Sequence, residues 1–335
     1  MNWNILGHEW AVSLLKEHVI RQRPRHAYLI TGASGLGRRT LALRLAQALN
    51  CIQPPAPGEA CGGCRACVQI ERMAHPDLTI VQADTAGGTL KVDQVRELQH
   101  SLALAPYEAR YRVALLLRFE EAHLSAANAL LKTLEEPPPQ VIIILTALDA
   151  EVLLPTIVSR CEVIRLRPAS LAQVSQGLID LRSAAPEQAQ LLAHLAGGRP
   201  GYALQLHDES DLQTQRATWL DDHAGLLNAD LADRFAYAEQ LAKNRELLQP
   251  ALTIWLSLWR DVLLQTAAPT DRAAITNIDR LEEIEALARQ VDLQQACAVI
   301  KTFEKTLERL SHNTNPRLTL EVLLLDLPRI RLQVN

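Results

Sequence analysis

Between His8 and Arg21, apolar Ala11, Leu15 and Val19 recur every fourth residue, the period of a helix with one face turned inward. A short unbroken apolar run, Ala27–Ile30, comes next, followed by Thr31-Gly32-Ala33-Ser34-Gly35-Leu36-Gly37 and a second helical pattern from Leu41 to Asn50. The order is strand, glycine-rich loop, helix. Leu78–Val81 reads as a second strand, Val113–Leu117 as a buried one, and Val141–Thr146 and Cys161–Leu166 complete the strands. Val95, Leu98 and Leu102 mark a helix after Asp93, and Ser125 is placed as the N-cap of another that reaches Glu136. Strands alternating with helices predict an α/β domain whose parallel sheet is covered on both faces.

After Pro168 the strand signals stop and helical ones follow each other to the end, broken at Ala184-Ala-Pro186, Gly197-Gly-Arg-Pro-Gly201 and Ala267-Ala-Pro269. The expected organisation is an α/β domain over 1–167, a small helical domain over 168–207 and an all-α domain over 208–335.

Composition narrows the class. Of 335 residues 48% are hydrophobic and 21% charged, ordinary for a soluble globular chain, while aromatics at 4% leave the cores to Leu, Ala, Val and Ile. No apolar run approaches the ~20 residues of a membrane span, and the start has no basic segment leading into an apolar one. The expected location is the cytoplasm, with no membrane partner. A net charge of −4 argues against a protein that grips DNA alone, since such proteins carry a basic excess. Work on nucleic acid would take place inside a larger assembly.

Four of six cysteines are crowded together: Cys51, Cys61, Cys64 and Cys67. In a cytosolic chain disulfides are the less common use of such a cluster. Cys61-Gly-Gly-Cys64-Arg-Ala-Cys67 lets a tight turn aim successive sulfurs at one centre, with Gly62 and Gly63 free to take positive φ. Cys51 supplies the fourth corner of a tetrahedral, structural zinc site. An iron–sulfur cluster is the rival, but the usual Pro after the last Cys is absent, because Val68 follows Cys67. Cys297, among Ala296, Ala298 and Val299, reads as a buried core thiol.

A working phosphate loop reads G-x-x-x-x-G-K-[ST]: backbone N–H groups cradle phosphates, the lysine reaches the β/γ-phosphates and the hydroxyl holds magnesium. Gly32 and Gly37 are correctly spaced, but Arg38 and Arg39 follow, and Thr40 comes one residue late. That turns its side chain about 100° round the helix. Arginine keeps the charge, yet its planar fork does not replace a compact ammonium. Alone, the loop is compatible with an ordinary glycine turn. Glu120 and Glu121, after the strand Val113–Leu117, strengthen the nucleotide-fold reading, because an acidic pair there positions magnesium and polarises water.

Asn128-Ala-Leu-Leu-Lys-Thr-Leu-Glu-Glu-Pro-Pro138, with Ser159-Arg160-Cys161 downstream, resembles bacterial DNA polymerase III clamp-loader subunits, members of the AAA+ ATPases. The resemblance runs through the cysteine segment, Ala74-His75-Pro76-Asp77 and Asn315-Pro-Arg-Leu-Thr-Leu-Glu-Val-Leu-Leu-Leu325. His-Pro-Asp also marks J-domain co-chaperones, but there it joins two helices, and here a strand follows it. The motor kind of subunit, tau/gamma, keeps an intact phosphate loop. The delta-prime kind has a decayed one. This chain resembles the second: the loop lacks its lysine, and the position of the motor's nucleotide-sensing arginine falls at about Gly201, with Arg199 two residues out of register.

The resemblance implies a ring with tau/gamma and delta subunits that opens the sliding β clamp and places it on primed DNA. It implies that Arg160 is an arginine finger for a neighbouring ATPase subunit and that Thr146 occupies a polar sensing position. It further implies a subunit of the DNA polymerase III holoenzyme that is not expected to hydrolyse ATP itself, the ATPase and polymerase activities lying on other subunits. Gly32, Gly37, Arg38, Glu120, Glu121 and Thr146 would form an inactive nucleotide site. The alternative is an ATP-hydrolysing, tau/gamma-like motor with Arg38 acting for lysine; a helicase, suggested by Glu120-Glu-Ala-His123, lacks its second α/β domain.

Overall fold

The computed structural model describes residues 3–85, 88–268, 275–311 and 314–330. The chain divides into two compact units, Met1–Gly177 with Gly198–Tyr202, and Leu178–Gly197 with Ala203–Asn335.

The first unit runs α1 (Glu9–Ile20), β1 (Ala27–Thr31), α2 (Arg38–Asn50), α3 (Arg65–Glu71), β2 (Leu78–Val81), α4 (Val92–Leu102), β3 (Arg112–Leu116), α5 (Leu124–Glu135), β4 (Val141–Ala147), α6 (Pro155–Val158) and β5 (Glu162–Arg165). The five strands pair in the order β2-β3-β4-β1-β5, all parallel, with Leu29 opposite Leu145 on one side and Val163 on the other. Side chains alternate across a strand. Tyr28, Ile30, Ile142 and Ile144 therefore share a core with Leu15, Leu41 and Leu45, while Leu29, Ile143 and Leu145 share another with Leu98, Leu130 and Ile157. Both faces are covered, which is why the interior strands β1, β3 and β4 read as near-continuous apolar runs rather than alternating ones.

Two local expectations are corrected. The helix after the glycine loop starts at Arg38, not Leu41, because its first turn has no apolar residue for periodicity to detect. Helix α5 starts at Leu124 with His123 as N-cap, not Ser125: the imidazole Nδ1 accepts the Ser125 N–H at 3.2 Å, doing what a Ser hydroxyl usually does.

Ala74-His75-Pro76-Asp77 is structural. The buried Asp77 carboxylate accepts the N–H groups of Tyr107, Glu108 and Ala109 at 2.7, 2.9 and 2.9 Å and lies 3.2 Å from Arg112 Nη2. Burial pushes its pKa up, but these donors outweigh it and hold the carboxyl below the usual range. His75 Nδ1 accepts the Asp77 N–H at 3.0 Å.

The chain continues as α7 (Leu171–Arg182), α8 (Pro186–Leu195), α9 (Pro200–Asp208), α10 (Ser210–Asn228), α11 (Leu231–Ala242), α12 (Arg245–Ala267), α13 (Leu281–Ala288), α14 (Leu293–Ser311) and α15 (Pro316–Asp326), with no strand among the described residues. Pro269, in the predicted break after α12, lies outside the described residues. In the second unit Leu252, Trp255, Trp259, Phe303, Leu320 and Leu323 form one core. The Arg234 guanidinium is buried there and donates to the carbonyls of Leu226, Leu324 and Leu327 at 2.9, 2.7 and 3.0 Å, satisfying helix-end acceptors that water cannot reach. Cys297 is half-buried rather than buried: its position on α14 lies between the core-facing Ala296 and the exposed Ala298.

Candidate functional site

The glycine loop leaves the carboxyl end of the interior strand β1, the end at which open α/β sheets bind ligands. The Gly32 N–H bonds the Leu148 carbonyl at 3.0 Å, and Gly37 caps α2 at φ 88°. Arg38 is then the first helical residue, while Arg39 and Thr40 are both exposed. The Arg38 guanidinium turns to the acidic pair, Nη1 lying 3.9 Å from Glu120 Oε1, with side chains only 12% and 15% exposed. Burial holds Arg38 below its ordinary pKa and pushes the Glu120 carboxyl up.

Glu120 and Glu121 sit in a single 3₁₀ turn, Phe119–Glu121, after β3, entered through Arg118 at φ 50°. Glu121 Oε1 accepts from Arg118 Nε at 3.0 Å. The Arg118 N–H donates to Thr146 Oγ1 at 3.0 Å, so the buried threonine on β4 is joined to the same group. The structure thus brings Gly32, Gly37, Arg38, Glu120, Glu121 and Thr146 to one end of the sheet. Arg118 was not singled out by sequence reasoning; its i,i+3 spacing to Glu121 is the signal that could have found it.

A further contact covers the loop. The Gly201 N–H donates to the Gly35 carbonyl at 2.8 Å, and a Cβ on Gly201 would stand 2.9 Å from that oxygen. The Arg199 guanidinium lies over the Tyr202 ring, 4.6 Å from its centre.

Arg160 stands at the other end of the sheet, ahead of β5. It follows α6, a helix too short for periodicity to reveal. Its Nη1 donates to the Thr156 carbonyl at 2.8 Å and its Nη2 to Glu135 Oε1 at 2.7 Å, and the side chain is 34% exposed.

The four cysteines converge, their sulfurs all within 4.8 Å of one another. Cys51–Cys64 and Cys61–Cys67 are both 4.0 Å apart, close to the ~3.8 Å edge of a tetrahedron with ~2.3 Å Zn–S bonds. Cys51 caps the end of α2, Cys64 is the N-cap of α3 and Cys67 lies within α3, a helix that the sequence reading took for part of a turn. The N–H of Cys61 points at Cys51 Sγ (3.3 Å) and that of Cys64 at Cys61 Sγ (3.2 Å), the donors a thiolate cluster needs. Burial pushes Cys51 and Cys67 up, whereas for Cys64 the Cys67 and Ile52 N–H groups outweigh burial and bring it down to about 6. The donor set fits a metal ion.

A parallel sheet with a phosphate-type loop after β1 and an acidic pair after β3, followed by a mostly helical C-terminal part, defines the AAA+ class of α/β nucleotide-binding folds. The family model described as "DNA polymerase III, delta subunit" matches residues 7–170. The chain is similar to the DNA polymerase III subunit delta' of Pseudomonas aeruginosa, 32% identical over 95% of this chain and 96% of that protein. It is also similar to the Bacillus subtilis subunit delta' (28% identical, 94% of each chain) and the Bacillus subtilis subunit tau (27% identical, 95% of this chain and 60% of tau). The chain belongs to the DNA polymerase III delta' family of clamp-loader subunits.

Proposed function

We propose that this chain is the non-motor subunit of a clamp-loader ring, helping place the sliding β clamp on primed DNA with tau/gamma and delta subunits in the cytoplasm. One observation carries the reading: each carboxylate of the acidic pair faces one of the chain's own arginines, Glu120 at 3.9 Å from Arg38 Nη1 and Glu121 at 3.0 Å from Arg118 Nε. In a working site that pair serves magnesium and water, and a lysine serves the phosphates. Here the charges neutralise each other internally, and the loop carbonyl of Gly35 is tied to Gly201.

The chain's contribution to ATP hydrolysis is then Arg160. Presented across a subunit boundary, its guanidinium stabilises charge developing on the neighbour's γ-phosphoryl oxygens. Zinc held by Cys51, Cys61, Cys64 and Cys67 supplies folding energy; a closed four-sulfur site has no open position for chemistry. Residues 168–207 serve as a small helical lid domain and 208–335 as the helical collar through which the subunits assemble.

The test has two arms. The purified chain, with and without primed DNA and clamp, is expected to show no steady-state ATPase; turnover at the rate of a tau/gamma subunit would establish the motor reading instead. In reconstituted complex with the other sites disabled, Arg160→Ala is expected to lower hydrolysis at the adjacent site by a factor within ~10³–10⁵ while ATP still binds. Unchanged hydrolysis there would refute the finger.

A further inference from the structure

We propose that Glu135 is the positioning residue for Arg160, setting the guanidinium in the orientation in which it meets the neighbour's phosphate; this rests on the finger reading above. Glu135 is the last residue of α5, where the partial negative charge of the helix end disfavours a carboxylate. A cation suits that place, and Lys132 supplies one in the same turn. A glutamate there has no local reason to exist unless something pairs with it, and Arg160 does, 25 residues downstream, at 2.7 Å.

The geometry of the pair favours presentation over burial. Arg160 Nη1 is fixed by the Thr156 carbonyl of α6 and Nη2 by Glu135 of α5, two anchors from two different helices. A guanidinium has five N–H donors. Two point at these anchors, a third approaches Ser159 Oγ at 3.4 Å, and the remaining donors of the planar fork stay available to an incoming anion. The arginine is 34% exposed and Glu135 50%, so the pair lies where a neighbour can reach it. An exposed pair of this kind adds little to the stability of its own domain. What it does is fix the direction of a long side chain that would otherwise sample many rotamers, and the ordering cost is met before the transition state forms.

The test is a cycle of variants in the reconstituted complex, read as ATP hydrolysis at the adjacent site with the other sites disabled. Glu135→Gln keeps the shape and removes the charge. It is expected to lower kcat by about ten-fold, with KM for ATP unchanged, since the arginine acts as charge develops. In an Arg160→Ala background the same change is expected to do nothing further. Glu135→Asp, one methylene shorter, should fail to rescue. If Glu135→Gln costs as much with Arg160→Ala as without it, Glu135 acts structurally and the inference falls. A rise in kcat for Glu135→Gln would also overturn it, making the pair a brake. If Arg160→Ala itself has no effect, the finger reading fails first, and the two failures are told apart in one set of measurements.

Discussion

Arg38 and Glu120 are each too buried to stand alone, and the consequences of separating them can be stated. Arg38→Ala leaves a carboxylate at 15% exposure without its cation and is expected to cost about 1–3 kcal/mol in urea unfolding. Adding Glu120→Gln to that variant should recover most of the loss, because what destabilises is the orphaned charge. The loss in Arg38→Ala should also shrink in acid. Burial already raises the folded-state pKa of Glu120, so stability falls as pH rises from the ordinary carboxylate value through the folded one, and protonation removes the penalty. A variant pair that melts no differently from wild type would show the ion pair to be incidental. The missing lysine was legible from the register of Arg38 and Arg39 after Gly37. Their pairing was not, because Arg38 and Glu120 are 82 positions apart and meet only when β1, β4 and β3 lie side by side.

Short segments were the least legible. Helices α3 and α6 have seven and four residues, fewer than periodicity needs, and in α3 Cys67 was counted as a ligand rather than as part of a helix face. The strands, by contrast, were found within a residue or so of their observed ends: β1, β3 and β4 are buried along their whole length and read as almost wholly apolar runs. The segment Tyr107–Ala109 shows how a loop without periodicity is still fixed, by three N–H groups converging on Asp77. Asp77→Asn keeps the volume and loses the charge beside Arg112, and is expected to destabilise the first unit by about 3–5 kcal/mol. Asp77 has a lowered folded-state pKa, so its contribution is complete above the unfolded value of ~3.9 and is lost as pH falls through the folded one. Urea unfolding of wild type and Asp77→Asn from pH 7 to pH 2 should therefore converge at the acid end; curves that stay parallel would contradict the linkage.

Each unit has its own core, one split across two sheet faces and the other built round Trp255, Trp259 and Phe303, so heating is expected to produce more than one transition. Metal analysis of chain purified without chelator should give one zinc. Its removal, or Cys64→Ser, should lower only the transition of the first unit, since ligation energy is local folding energy. Iron with visible charge-transfer absorption, or loss of both transitions together, would contradict this. The alternation of strands and helices and the convergence of Cys51, Cys61, Cys64 and Cys67 were readable in the chain from pattern and spacing; the way the site closes on itself was not. That closure sets a direction. On the proposed reading a motor's sensing arginine falls at about position 201, and any side chain there begins 2.9 Å from the Gly35 carbonyl, inside contact distance of backbone. Restoring lysine and threonine after Gly37 leaves this collision untouched, and placing an arginine at 201 forces the loop to move before the charge can act. Neither change is useful without the other. On the proposed reading the contact works as a ratchet: with Gly201 and the loop closed together, neither substitution alone is expected to give a subunit that hydrolyses ATP.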